Sequence, residues 1–128
     1  MKEIKLADSE KDLMEILWEK QKAFMKDILE SYPEPKPATT TIATLLKRMQ
    51  NKDFVGYTLY GNSREYFPKI AKGEYFKEEM SSMIDRFFNS SVTQFASFFT
   101  LNAKFSQKQL KELREIIDRQ IDENDHPF

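Results

Sequence analysis

The sequence contains no cysteine and a single histidine, His126. Without thiols there is no disulfide framework, no thiolate zinc site, no iron–sulfur cluster and no cysteine nucleophile. One histidine beside a proline excludes multi-histidine metal sites and argues against a serine–histidine–carboxylate triad. Long apolar runs are lacking too. The longest uncharged stretch, Phe87 to Ala103, covers 17 positions and includes Asn89, Ser90, Ser91, Thr93, Gln94, Ser97, Thr100 and Asn102. It is too polar to cross a bilayer. No basic, then apolar, then small-residue signal opens the chain. Carboxylate pairs such as Glu78-Glu79 fall on a solvated helix face and form no catalytic constellation. The expectation is a cytoplasmic, non-enzymatic protein with no metal and no cofactor.

What is present suits a folded domain. Of 128 residues, 40% are hydrophobic and 32% charged, which is enough apolar material for a core and too much for a disordered chain. The net charge of −1 hides a pattern. Residues 1–35 sum to −3, residues 36–72 to +5 and residues 73–128 to −3. A basic middle third between acidic flanks suits a nucleic-acid reader, because phosphate neutralisation needs local positive charge.

Hydrophobic periodicity divides the chain further. Leu13, Met14, Ile16, Leu17 and Trp18 mark a first helix, with Asp8 or Ser9 as its expected N-cap. Met25, Ile28, Leu29 and Tyr32 mark a second, which must stop before Pro33. Ile42, Leu45, Leu46 and Met49 mark a third, beginning near Thr39–Thr41. The period then changes. Phe54 to Tyr60 and Arg64 to Phe67 are rich in β-branched and aromatic residues and flank Gly61-Asn62-Ser63, which predicts a β-hairpin. Beyond Gly73, Phe76, Met80, Met83, Ile84, Phe87 and Phe88 share one helical face, and Asn89-Ser90-Ser91 interrupts it. Val92, Phe95, Ala96 and Phe99 predict a short helix. Ser106 with Gln109 is a capping box for a last helix carrying Leu110, Leu113, Ile117 and Ile121. The stretch from Asp122 to Phe128 is expected to fray.

Three helices followed by a hairpin is the order of a winged helix-turn-helix, with the third helix entering the major groove and Gly61-Asn62 at the wing tip. The predicted fold is mainly α with a small β-hairpin: a winged helix-turn-helix domain over residues 1–72, then C-terminal dimerisation helices over residues 73–128. With Ile42, Leu45, Leu46 and Met49 turned inward, Thr40, Thr44, Lys47 and Asn51 lie on the opposite face, flanked by Ala43 and Arg48. Hydroxyls, an amide and cations are the groups that reach base edges and phosphates. The expected DNA contacts are therefore Thr40, Thr41, Thr44, Lys47, Arg48 and Asn51, with Lys36, Lys52, Asn62 and Arg64 as phosphate or wing contacts.

The residues Asp12 to Trp18, Asp27-Ile28, Thr41 to Met49, Phe54 to Tyr57, Tyr66-Phe67-Pro68 and Leu110 to Ile117, taken in order, resemble the penicillinase-repressor family. The resemblance covers nearly the whole chain. It implies a homodimeric transcriptional repressor that binds paired half-sites of a double-stranded DNA operator. Thr40 and Ala43 stand where the antibiotic-resistance members usually carry Lys and Arg, so an operator sequence does not carry over. Those members are inactivated by cleavage at an Asn-Phe bond. The matching position here is Phe98-Phe99, where the asparagine is missing. A membrane sensor-protease is the further partner this implies, with a cut expected between Phe95 and Phe105. The copper-responsive branch ends in a cysteine cluster and is excluded.

Eleven phenylalanines are many for a chain this small, and most follow Gly73. Three short helices have limited capacity to bury them alone. Pairing two copies solves the burial problem, through Phe76, Met80, Ile84, Phe87, Phe88, Phe95, Phe99, Leu110, Leu113 and Ile117. Trp18 and Tyr32 are expected in the core. The alternative reading is a protein-binding winged-helix adaptor that uses the same fold without touching DNA.

Overall fold

The computed structural model describes residues 5–125, and His126 lies outside them. Nine elements follow in order: α1 (Asp8–Lys20), β1 (Ala23–Phe24), α2 (Met25–Ser31), α3 (Thr39–Asn51), β2 (Val55–Tyr60), β3 (Ser63–Pro68), α4 (Lys72–Phe87), α5 (Val92–Asn102) and α6 (Gln107–Asp125). The fold is mainly α with one small antiparallel sheet in the order β1-β3-β2, as a winged helix with C-terminal helices requires.

The chain divides into two compact units, residues 1–80 and 81–128. A division after residue 72, as expected from the sequence, would follow the first residue of α4 and lie within the first unit. The reason is packing: Tyr75 is 1% exposed and belongs to the first unit's core. Its ring and that of Phe76 lie 5.6 and 6.1 Å from the Trp18 ring. The Trp18 indole N–H also donates to the Ile70 carbonyl at 2.8 Å, which fixes the segment leading into α4. Among buried polar groups this bond matters, since an orphaned carbonyl costs about 1–3 kcal/mol.

In the first unit, α1 buries Leu13, Met14, Leu17 and Trp18, α2 buries Ile28, and α3 buries Ile42, Leu45, Leu46 and Met49. These stripes meet Ala23, Val55 and Tyr66 from the sheet. The hairpin register pairs Tyr57 with Tyr66 and Tyr60 with Ser63, so the loop is only Gly61-Asn62 and Ser63 already belongs to β3. Gly61 has φ +63, the left-handed conformation that a type II′ turn reserves for glycine at its first central position. Gly56 serves a different end. A Cβ there would meet the Phe67 ring at 2.7 Å.

Three local expectations are corrected. Neither Asp8 nor Ser9 caps α1: Ala7 is the N-cap residue, and its amide is satisfied from Glu10, three residues on, at 2.8 Å. Strand β1, pairing Ala23 with Tyr66, was not anticipated, because two residues show no periodicity. The fraying expected from Asp122 to Phe128 is absent up to Asp125, and the last three of those residues lie outside the described ones.

The second unit holds the remainder of α4 with α5 and α6. Asn89 and Ser90 take left-handed φ values of 53° and 60°, and the Ser91 hydroxyl accepts the Gln94 amide to start α5. Ser106 and Gln109 form the expected reciprocal cap, at 2.9 and 3.1 Å. Phe88 lies 5.5 Å from both Phe95 and Phe98, Phe95 stacks on Phe99, and Phe99 meets Phe105. Helix α5 is continuous to Asn102, so the polar residues from Thr93 to Thr100 do not break it. The non-helical link lies at residues 103–106. Among the described residues of this unit, only Ile84 is buried below a tenth of its surface. No helix among the described residues is long and apolar enough to cross a membrane.

Candidate nucleic-acid interface

Helices α2 and α3, joined by seven residues rich in proline, form the helix-turn-helix pair, and the hairpin follows α3 after three residues. On α3 the inward stripe leaves Thr40, Thr41, Ala43, Thr44, Lys47, Arg48 and Asn51 exposed. Six of these are the α3 residues singled out from the sequence, and the helix gathers them on its outer side. Thr44 turns its hydroxyl back to the Thr40 carbonyl at 2.9 Å, which leaves its acceptor lone pairs and methyl outward. Asn62 is exposed at the hairpin tip. Arg64 lies with its guanidinium 4.4 Å from the centre of the Tyr57 ring, a cation–π contact that steadies the only cation of the wing strands.

The other expected contacts are engaged within the protein. Lys36 donates from Nζ to the carbonyls of Leu29, Glu30 and Tyr32 at 3.3, 3.2 and 2.8 Å, and so caps the C-terminal end of α2. Lys52, the C-cap residue of α3, donates to both carboxylate oxygens of Glu10 at 3.1 and 3.0 Å. The Arg48 guanidinium stands 3.9 Å from the same carboxylate. Lys69 pairs with Asp53, and Lys72 with Glu15 at 3.2 Å. Most cations of the basic middle third therefore have a partner within the protein. Lys47 is the cation there for which no partner is found among the described residues.

Glu10 was missed by sequence reasoning, and it is the one buried charged residue among the described residues, at 2% exposure. Its spacing to Ala7 could have signalled a cap, but its reach to Lys52 spans 42 residues and left no local trace. Burial works to raise its pKa. The Ala7 amide, the Lys52 ammonium and the Arg48 guanidinium outweigh burial, and the carboxyl titrates below its ordinary value. A carboxylate depressed in the folded state adds stability above its unfolded pKa and loses it as pH falls through the folded one. Thermal melting points should therefore fall on acidification below the ordinary carboxylate range, and Glu10→Gln should flatten part of that fall. A glutamine variant with an unaltered acid profile would contradict this role.

The sequence model described as "Penicillinase repressor" matches residues 6–119. A penicillinase repressor of Bacillus licheniformis is 23% identical over 120 residues, covering 92% of this chain and 94% of its own length. A methicillin resistance regulatory protein, MecI, of Staphylococcus aureus is 22% identical over 119 residues, covering 92% and 97%. A penicillinase repressor of Staphylococcus aureus is 21% identical over 118 residues, covering 91% and 94%. With a winged-helix arrangement and a match spanning nearly all of its helices, the chain belongs to the penicillinase repressor family, whose members are transcriptional repressors and not enzymes.

Proposed function

We propose that the chain represses transcription as a homodimer that binds a double-stranded DNA operator sequence-specifically in the cytoplasm. The observation that carries the reading is the outer face of α3. Thr40, Thr41, Thr44, Lys47 and Asn51 stand exposed on a helix whose other side is anchored by four buried apolar residues, next to a wing bearing Asn62 and Arg64. A rigid helix with short hydroxyl and amide side chains and a free cation suits base edges and nearby phosphates.

Pairing of two copies is supported by what the second unit leaves uncovered. Phe87, Phe99, Leu101, Ile116, Ile117 and Ile121 are 69%, 46%, 79%, 50%, 59% and 53% exposed. So much exposed apolar surface marks an interaction site. Residues expected at the dimer contact from the sequence include some of these together with Leu110 and Leu113, which are half-buried on the same helix. Phe76, Met80 and Ile84 lie on α4, with Phe88 following it and Phe95 on α5. Relief of repression through a membrane sensor-protease belongs to the same proposal. The non-helical link at residues 103–106 is the segment where a cut would sever α6 from the rest of the second unit.

The test is retention on duplex DNA. Fragments selected from a random pool should share a two-fold symmetric sequence, and affinity should fall steeply with salt. A chain that selects no sequence and ignores salt would instead be a protein-binding adaptor.

A further inference from the structure

The ion cluster at Glu10 bears on how the proposed DNA-reading helix achieves selectivity. Three cations lie in the last turns of α3 and its cap: Lys47, Arg48 and Lys52. Charge on DNA-binding helices has a cost for selectivity. Each phosphate neutralised adds affinity for every sequence alike, through release of cations condensed on the DNA. Glu10 stands as an alternative partner for two of these cations. Its carboxylate is 2% exposed, fixed by the Ala7 amide at 2.8 Å, and held by Lys52 through both oxygens. Arg48 lies at the edge of the same carboxylate, at 3.9 Å, with its side chain half exposed.

We propose that Glu10 is a built-in counterion that withholds Lys52, and in part Arg48, from the DNA backbone, leaving Lys47 as the α3 cation that displaces condensed cations from the phosphates. An ammonium held on a buried carboxylate does not displace a cation condensed on the DNA phosphates. It also stays on the carboxylate, because leaving would strand an unpaired buried charge. Sequence-independent binding is thereby held down, while the hydroxyl and amide groups of Thr40, Thr44 and Asn51 remain free to discriminate. Glu10 is a positioning and specificity-determining residue that never touches DNA. This inference rests on the DNA-binding reading above.

The experiment measures binding of the full chain to a mixed-sequence duplex over a series of salt concentrations, with circular dichroism to verify folding. Glu10→Gln frees Lys52 for phosphate. Binding to the mixed-sequence duplex should tighten, and the log–log salt slope should steepen by about 0.9 for each cation released. Adding Lys52→Met to Glu10→Gln should bring the slope back by about 0.9 per protomer. A folded Glu10→Gln protein with the wild-type slope overturns the proposal, as does a double variant whose slope is shallower than wild type. Lysine acetylation followed by mass spectrometry gives a second reading on the unaltered protein. Lys47 should lose reactivity when duplex is added, and Lys52 should be slow to react with or without it. Protection of Lys52 that arises only with DNA overturns the proposal. A wild-type chain that binds no duplex at any salt overturns the DNA-binding reading itself, and this inference with it.

Discussion

Replacing Ile117 by aspartate should convert the protein to a monomer and lower its apparent operator affinity by about 10²–10⁴-fold. Ile117 is 59% exposed on α6, so the substitution disturbs no core of its own chain. Folding within one copy should survive. In the proposed dimer the same position is covered, and taking a carboxylate out of water there is costly. Loss of the pair removes the second half-site, whose engagement is otherwise intramolecular, and the large factor comes from that lost effective concentration. Sedimentation equilibrium checks the first half of the expectation and operator titration the second. Ile121→Asp, one turn further along, should behave alike. A variant that remains dimeric and binds as tightly as wild type would place the interface elsewhere.

The sequence made the helices readable because their stripes follow a 3.6-residue period that no other structure satisfies. Ile42, Leu45, Leu46 and Met49 are all buried, and the polar face opposite them is exposed as that period requires. The wing was legible for a similar reason: a change to β-branched and aromatic residues around a glycine. Local caps were read where both partners lie within one turn, as with Ser106 and Gln109. The unread parts depend on distant partners. Lys36 and Lys52 look in sequence like any surface cation, and only the chain's folding shows the carbonyls and the carboxylate that occupy them. Tyr75 was passed over because it sits just beyond the hairpin, one place before the stripe that begins at Phe76. The partner that draws it inward, Trp18, is 57 positions away. Net charge over a window counts such residues as though none had a partner within the chain.

That correction sharpens the last expectation, which concerns Lys47. Once Lys36, Lys52, Lys69 and Lys72 are assigned to internal partners, Lys47 is the α3 cation best placed to meet DNA. It lies one turn beyond Thr44 on the exposed side of the helix. Lys47→Ala removes no buried contact, so its melting temperature should stay near that of wild type. Its effect should fall on binding: a loss of about 1–3 kcal/mol, or roughly 5–150-fold per half-site, if the ammonium reads a guanine edge. Selection of binding sites from a random pool separates the two ways a lysine acts. Base readout relaxes preference at one symmetric position in each half-site and leaves the others intact. Phosphate contact weakens all sequences equally and lowers the salt slope by about 0.9 per protomer. In a dimer the substitution is present twice, so the two half-site losses compound in the operator complex. Unchanged affinity, unchanged preference and unchanged salt slope in the Lys47/Arg48 double alanine as well would remove α3 as the reading helix.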